Sequence, residues 1–297
     1  MRSGAPTAPS LTPVSALLAL LSSLLWGSAD FLGGILSRRI PAVLVVACSQ
    51  VFGLLAVGIV AVAAGALDAP TGYLPWALAA GLTGVVGLVA FYAALAAGTM
   101  GVVSPIAAMG VVVPVAVGFG QGERPGLLQL VGIAVAIAGV VLASGPELSG
   151  KAGLRPLVLA VVAAFGFGGT LLFIAKGSRE STLMTLLTMR ATSVTVLGLA
   201  LAVMAFRARR ADAPGRPRLE PHDFALLAVV GVADAAANLT FGWASTRGLV
   251  SVAAVLGSLY PVVTVLLARV VLHERLGRIQ TVGVAGALAG VVLIAAG

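Results

Sequence analysis

The strongest constraint in this sequence is that it states one pattern twice. Gly101, Val103, Ser104, Ala107, Gly110 and Pro114 are matched by Gly248, Val250, Ser251, Ala254, Gly257 and Pro261, an offset of 147 (Gly101 to Gly248). Further on, Glu123, Arg124, Gln129, Gly132 and Gly139 are matched by Glu274, Arg275, Gln280, Gly283 and Gly290, an offset of 151 (Glu123 to Glu274). The first copy is therefore shorter by about one helical turn, which keeps the matched faces close to phase. A repeat of half the chain is one structural unit used twice, and each element has to be read inside it.

That unit belongs in a bilayer. Sixty per cent of the 297 residues are hydrophobic and 9% are charged, against about 25% charged in soluble domains. Apolar runs near the ~20 residues that a helix needs to cross fall at 14–36, 42–64, 74–97, 101–121 and 127–144, and again at 156–175, 182–206, 223–244, 250–272 and 278–296. The first run is too long for a signal-peptide core and ends in no small-x-small cleavage site, so it is counted as a span. The expected fold is an all-α membrane protein, with ten transmembrane helices as two inverted five-helix repeats. The organisation is a disordered tail at 1–13, a first repeat at 14–145 and a second at 155–296. Five crossings per unit is an odd number, so the second unit enters the membrane upside down relative to the first. Inverted repeats of this kind support alternating access to a site near the midplane.

The paired Ser, Ala, Gly and Pro positions, the Glu-Arg corners and the Gln-x-x-Gly after each corner resemble the tandem EamA domains of the drug/metabolite transporter superfamily. The Trp-Gly and Phe-Gly-Gly pieces around Trp26 and Gly168 extend the resemblance towards each repeat's start. The resemblance implies ten helices around a cavity and export or exchange of small metabolites, amino-acid-like solutes or drugs.

The net charge of +8 sits mostly between the apolar runs. It therefore bears on orientation in the bilayer rather than on nucleic acid. With the N-terminus inside, the inner segments would hold Arg2, Arg124, Lys176, Arg179 and Arg247, and the remaining loop charges would lie outside. The rule thus favours both termini outside. The expected location is a bacterial-type plasma membrane, crossed many times, with a monomer or a homodimer both open.

Charges inside the apolar runs are the sharpest functional signal, since each costs ~2.5–3.5 kcal/mol at the bilayer centre on insertion scales. Three lie deep: Asp30, Arg190 and Asp234, with Asn238 one turn after Asp234 on the same face. Carried through the repeat, Asp234 falls near Gly84, Asn238 near Leu88, Arg190 near Ser49 and Asp30 near Leu171. The symmetry fails where the charges are. Symmetric packing requires no such failure, whereas an asymmetric solute does. Trp26, Asp30, Gln50, Tyr92, Arg190, Asp234, Asn238 and Tyr260 are accordingly the candidate solute-binding residues. Arg190 suits a carboxylate in fork geometry, and Asp234 a solute ammonium or a coupling proton. The competing reading is an ion pair between Arg190 and one aspartate that only locks helices together. Ser104, Ser251 and Thr188 are further polar lining candidates, although such residues equally serve as hydrogen bonds between helices.

Glu123-Arg124 and His273-Glu274-Arg275 precede the last helix of each repeat and read as structural corners, each carboxylate at a helix start. His222 and His273 stand in separate loops and form no metal set. The stretch 145–152 nearly spells a P-loop, but Ala152 stands where Ser or Thr must hold Mg²⁺ and no strand precedes it. No cofactor is expected, and proton coupling is left open. The expected function is a secondary transporter that exports small polar metabolites by alternating access. An uptake facilitator or a lipid-linked sugar translocator of the same fold is the alternative. An enzyme is disfavoured because no nucleophile–base pair or metal motif appears.

Overall fold

The fold comes from a computed structural model, which describes residues 12–97, 103, 106–143, 154–210, 219–271 and 277–296. Residues 1–11 of the expected tail, Ser104, the 145–152 stretch, Arg216, Arg218 and the 273–275 corner lie outside the described residues. Among the described residues there is helix and no strand.

Helix α1 (Pro13–Ser37) begins inside the expected tail. The Thr12 side chain accepts from the Ser15 N–H at 3.1 Å, and Pro13 supplies a preset first turn. Helices α2 (Ala42–Ala63) and α3 (Leu74–Ala97) follow. The fourth helical stretch passes through a 3-10 turn, Met109–Val111, into α4 (Val112–Gly120), and α5 (Leu127–Ala143) closes the first repeat.

The second repeat differs from the expectation at its start. Two spans with a connection between them were expected. Instead, a single helical run, α6 (Leu154–Arg210), covers 57 residues. At ~1.5 Å per residue that is far longer than a ~30 Å hydrocarbon core. The run breaks at Ser181, whose φ of −158° and ψ of 111° are extended. The Ser181 hydroxyl accepts from the Met184 N–H at 3.3 Å and so caps the second arm. The two arms, 154–180 and 182–210, thus meet without a loop.

Helix α7 (Pro221–Ser245) starts with Pro221, and the Asp223 carboxylate accepts from the Glu220 N–H at 2.9 Å. Arg39, at the corner after α1, forms an ion pair with the same carboxylate and ties that corner to the start of α7. The next expected span is broken in two, as α8 (Val250–Gly257) and α9 (Tyr260–Val271), before α10 (Arg278–Ala296) ends the chain. Pro261 follows the break, where its missing N–H costs least. In the first repeat the 3-10 turn falls at Gly110, the match of Gly257. Both copies therefore interrupt this helix at the same matched place.

Apolar side chains cover the outside as well as the core: Leu127 is 79% exposed and Leu17 67%. A soluble protein does not present such a surface over most of its helices, whereas lipid tails cover it without penalty.

The packing repeats with the sequence. Helix α1 lies on α7, α3 on α6, and α5 on α10. At the last contact, a methyl group on Gly139 would strike the backbone of Ala287, and one on Gly290 would strike the backbone of Ala136. Gly139 and Gly290 are matched by the 151 offset, and so are Ala136 and Ala287. Contacts that exchange in this way are those of an isologous two-fold interface. A second exchange relates Gly81, pressed against the Met189 carbonyl, to Gly231, pressed against the Ser49 carbonyl, and so pairs Ser49 with Met189, one residue before the Arg190 match expected from sequence.

One expected corner acts elsewhere. Glu123 does not serve the helix that follows it. Its carboxylate accepts from the N–H groups of Val250 and Ser251, at 2.8 and 3.0 Å. The reason is that the residue before α8, Leu249, has no side-chain oxygen to cap it, and a carboxylate there meets both orphan donors and the positive end of the helix dipole. The corner is structural, as expected, but it joins the two repeats.

Candidate functional site

Between the repeats lies a cavity of about 80 Å³, smaller in this conformation than the roughly 300–1,000 Å³ usual for small-molecule sites. Helix α2 reaches it because Gly53 and Gly231 let the backbones of α2 and α7 touch. Gln50, one turn before Gly53, and Asp234, one turn after Gly231, then lie within hydrogen-bond reach.

Asp234 is the hub. Its Oδ2 accepts from Arg190 Nη1 at 2.7 Å and from Gln50 Nε2 at 3.3 Å. Its Oδ1 accepts from Trp26 Nε1 at 3.1 Å and from Asn238 Nδ2 at 3.1 Å. Arg190 Nη1 also donates to Gln50 Oε1 at 2.5 Å. Four helical segments, α1, α2, the second arm of α6 and α7, therefore converge on one carboxylate. Arg190 is 2% exposed and Asp234 16%. The other lone pairs of the carboxylate are met by Gln50, Trp26 and Asn238, which offsets part of the cost of burying the pair.

Asp30 stands apart from this hub. It is 7% exposed and takes one long hydrogen bond, 3.5 Å, from the hydroxyl of Tyr92. No cation pairs with it among the described residues. The Tyr260 hydroxyl and two Arg190 nitrogens, Nε and Nη2, are buried without a partner among the described residues.

Seven of the eight residues singled out from sequence line the cavity: Trp26, Asp30, Gln50, Arg190, Asp234, Asn238 and Tyr260. Tyr92 does not. It lies behind Asp30 and reaches the site only through that carboxyl. Ser251 and Thr188 do not line it either, and Ser104 lies outside the described residues. Arg190 and Asp234, expected to meet opposite ends of a solute, are each other's partner in this conformation. Sequence reasoning missed the opposite wall: Gly84, Leu88, Phe167, Thr170 and Leu171. The signal was available, because Gly84, Leu88 and Leu171 are the repeat counterparts of Asp234, Asn238 and Asp30. A wall with no charge drew no attention.

Aromatic rings close one side. Phe167, Phe91 and Tyr260 make an edge-to-face cluster with centroids 5.3 to 6.4 Å apart, and Trp26 packs on Phe241 at 5.8 Å. Such rings give a firm apolar surface with polar edges.

A family model, described as the EamA-like transporter family, matches residues 14–145 and again 154–296. A solved structure described as "Crystal structure of protein" superposes with a TM-score of 0.72 at 19% identity, covering 94% of this chain and 95% of that one. At that identity the likeness concerns the fold. The comparison with curated proteins finds no match.

Proposed function

Since the chain belongs to the EamA-like transporter family, we propose that it is a secondary transporter that exports small polar metabolites across a plasma membrane by alternating access. The observation that carries this reading is the cavity between the repeats, lined by a buried ion pair and an unpaired carboxyl. Charges placed there at a cost of several kcal/mol are retained for a solute or its coupling ion.

In this reading the helices make ten crossings. The two arms of α6 count as two, since one crossing uses about 20 residues. Helices α8 and α9 together count as one, and so does the stretch that ends in α4. Five crossings per repeat make the repeats inverted, and they rock about the cavity between them. A cavity carboxyl gives the available chemistry for coupling to a proton.

Proteoliposomes loaded with a metabolite mixture test the proposal, with external solutes identified by mass spectrometry. At least one small polar solute is expected to exchange, at a rate at least tenfold lower in Asp234→Asn with the protein folded and inserted. Failure of every solute to exchange through folded wild-type protein would overturn the proposal.

A further inference from the structure

The cavity's hydrogen-bond inventory states what chemistry it still lacks. A carboxylate offers about four acceptor sites, and Asp234 fills four, with Trp26, Asn238, Arg190 and Gln50. It has nothing left for a solute. Arg190 spends Nη1 on Gln50 and Asp234, while Nε and Nη2 are closed off from solvent. No anion entering the cavity meets a free guanidinium edge. The charges of Arg190 and Asp234 cancel.

What remains open is acceptor chemistry. Asp30 has one long bond to Tyr92 and no cation, so its second oxygen faces no donor among the described residues. It is the one ionisable cavity group whose charge nothing described offsets. Across the two-fold from Asp30 and Trp26 lie Leu171 and Phe167, and across from Asn238 lies Leu88. That wall carries no charge. Trp26, Phe167 and Tyr260 add ring faces, which attract a cation as well as an apolar group.

We propose that the cavity selects an amphipathic amine, its protonated amino group on Asp30 and its apolar body against Phe167, Leu171 and Leu88. This rests on the transporter reading only in that a solute enters the cavity. A matching acid is disfavoured twice, by the charge of Asp30 and because the two unpartnered Arg190 nitrogens are buried away from the cavity space. A small ammonium ion without an apolar body leaves the second wall unfilled.

The test is equilibrium binding by titration calorimetry on the full chain in nanodiscs, with empty nanodiscs as the blank. The probes are 2-phenylethylamine, phenylacetate and methylammonium. The expected result is 2-phenylethylamine at least tenfold tighter than either of the others. Asp30→Asn is expected to weaken it at least tenfold. Phe167→Ala should weaken it at least fivefold while leaving methylammonium unchanged. Phenylacetate binding as tightly as the amine, no saturable binding of the amine, or unchanged affinity in Asp30→Asn would each overturn the proposal. The comparison of the three probes on unaltered protein stands even where a variant fails to fold. Exchange of some other solute, independent of Asp30, would sink this inference and leave the transporter reading intact. Amine binding without any exchange would do the reverse.

Discussion

The two walls of the cavity occupy matched positions and have opposite chemistry. Trp26 and Asp30 correspond to Phe167 and Leu171 at an offset of 141 (Asp30 to Leu171), and Asp234 and Asn238 to Gly84 and Leu88 at 150 (Gly84 to Asp234). All eight line the same space. The backbone keeps the repeat while the side chains abandon it. Symmetry here is held by main-chain contacts, such as Gly81 on Met189 and Gly231 on Ser49. Those contacts are indifferent to what points inward. The inward positions were therefore free to diverge without disturbing the frame.

The largest expected effect sets the same residue at two matched places. Asp234→Ala leaves Arg190 buried and uncompensated, which costs ~3–5 kcal/mol for a broken buried pair. Gly84→Ala puts a methyl at ordinary contact distance, 3.5 Å, from Thr170, so its melting temperature should match the wild type. Thermal unfolding in detergent measures both, and similar losses in the two variants would break the comparison.

Trp26→Phe makes the first wall resemble the second. It removes one donor to a charged acceptor, a bond worth about 1.5–3 kcal/mol, and the same unfolding assay should show a loss inside that range. A loss no larger than that of Phe167→Trp would mean that the polar wall is not held by its hub.

The frame itself is tested by Gly139→Val and Gly290→Val. Each forces a side chain into opposing backbone, with an overpacking cost of about 1–3 kcal/mol. The two-fold predicts equal losses, and a clear inequality would refute the exchange of contacts. The smallest effect is that of Glu123→Gln. The amide oxygen still accepts from one of the Val250 and Ser251 N–H groups, but its NH2 faces the other, so the loss is about 1 kcal/mol for that unpaired donor, which denaturant midpoints can resolve.

Much of this was legible in the sequence, because a bilayer allows so few solutions. Apolar runs of spanning length become helices, and charges inside them turn inward, as Asp30, Arg190 and Asp234 do. Partnership was harder to read. Asp234 and Asn238 share a face by simple periodicity, but that Gln50 and Trp26 also reach Asp234 depends on the α2–α7 approach at Gly53 and Gly231. The partner of Glu123 lies more than a hundred residues away in sequence, and nothing local to Glu123 points to it. The Ser181 break looked like a loop because Lys176, Arg179 and Glu180 crowd before it. Polarity in a stretch reports water nearby rather than a change in backbone course.

The seam between α5 and α10 has a mechanical consequence. At Gly139 and Gly290 the two helices meet main chain to main chain, and main chain has no rotamers to reshuffle. Sliding between packed helices proceeds by small repacking of side chains, so this junction has little means to slide. In the alternating access proposed above, it is suited to be the fulcrum, with the cavity walls as the arms.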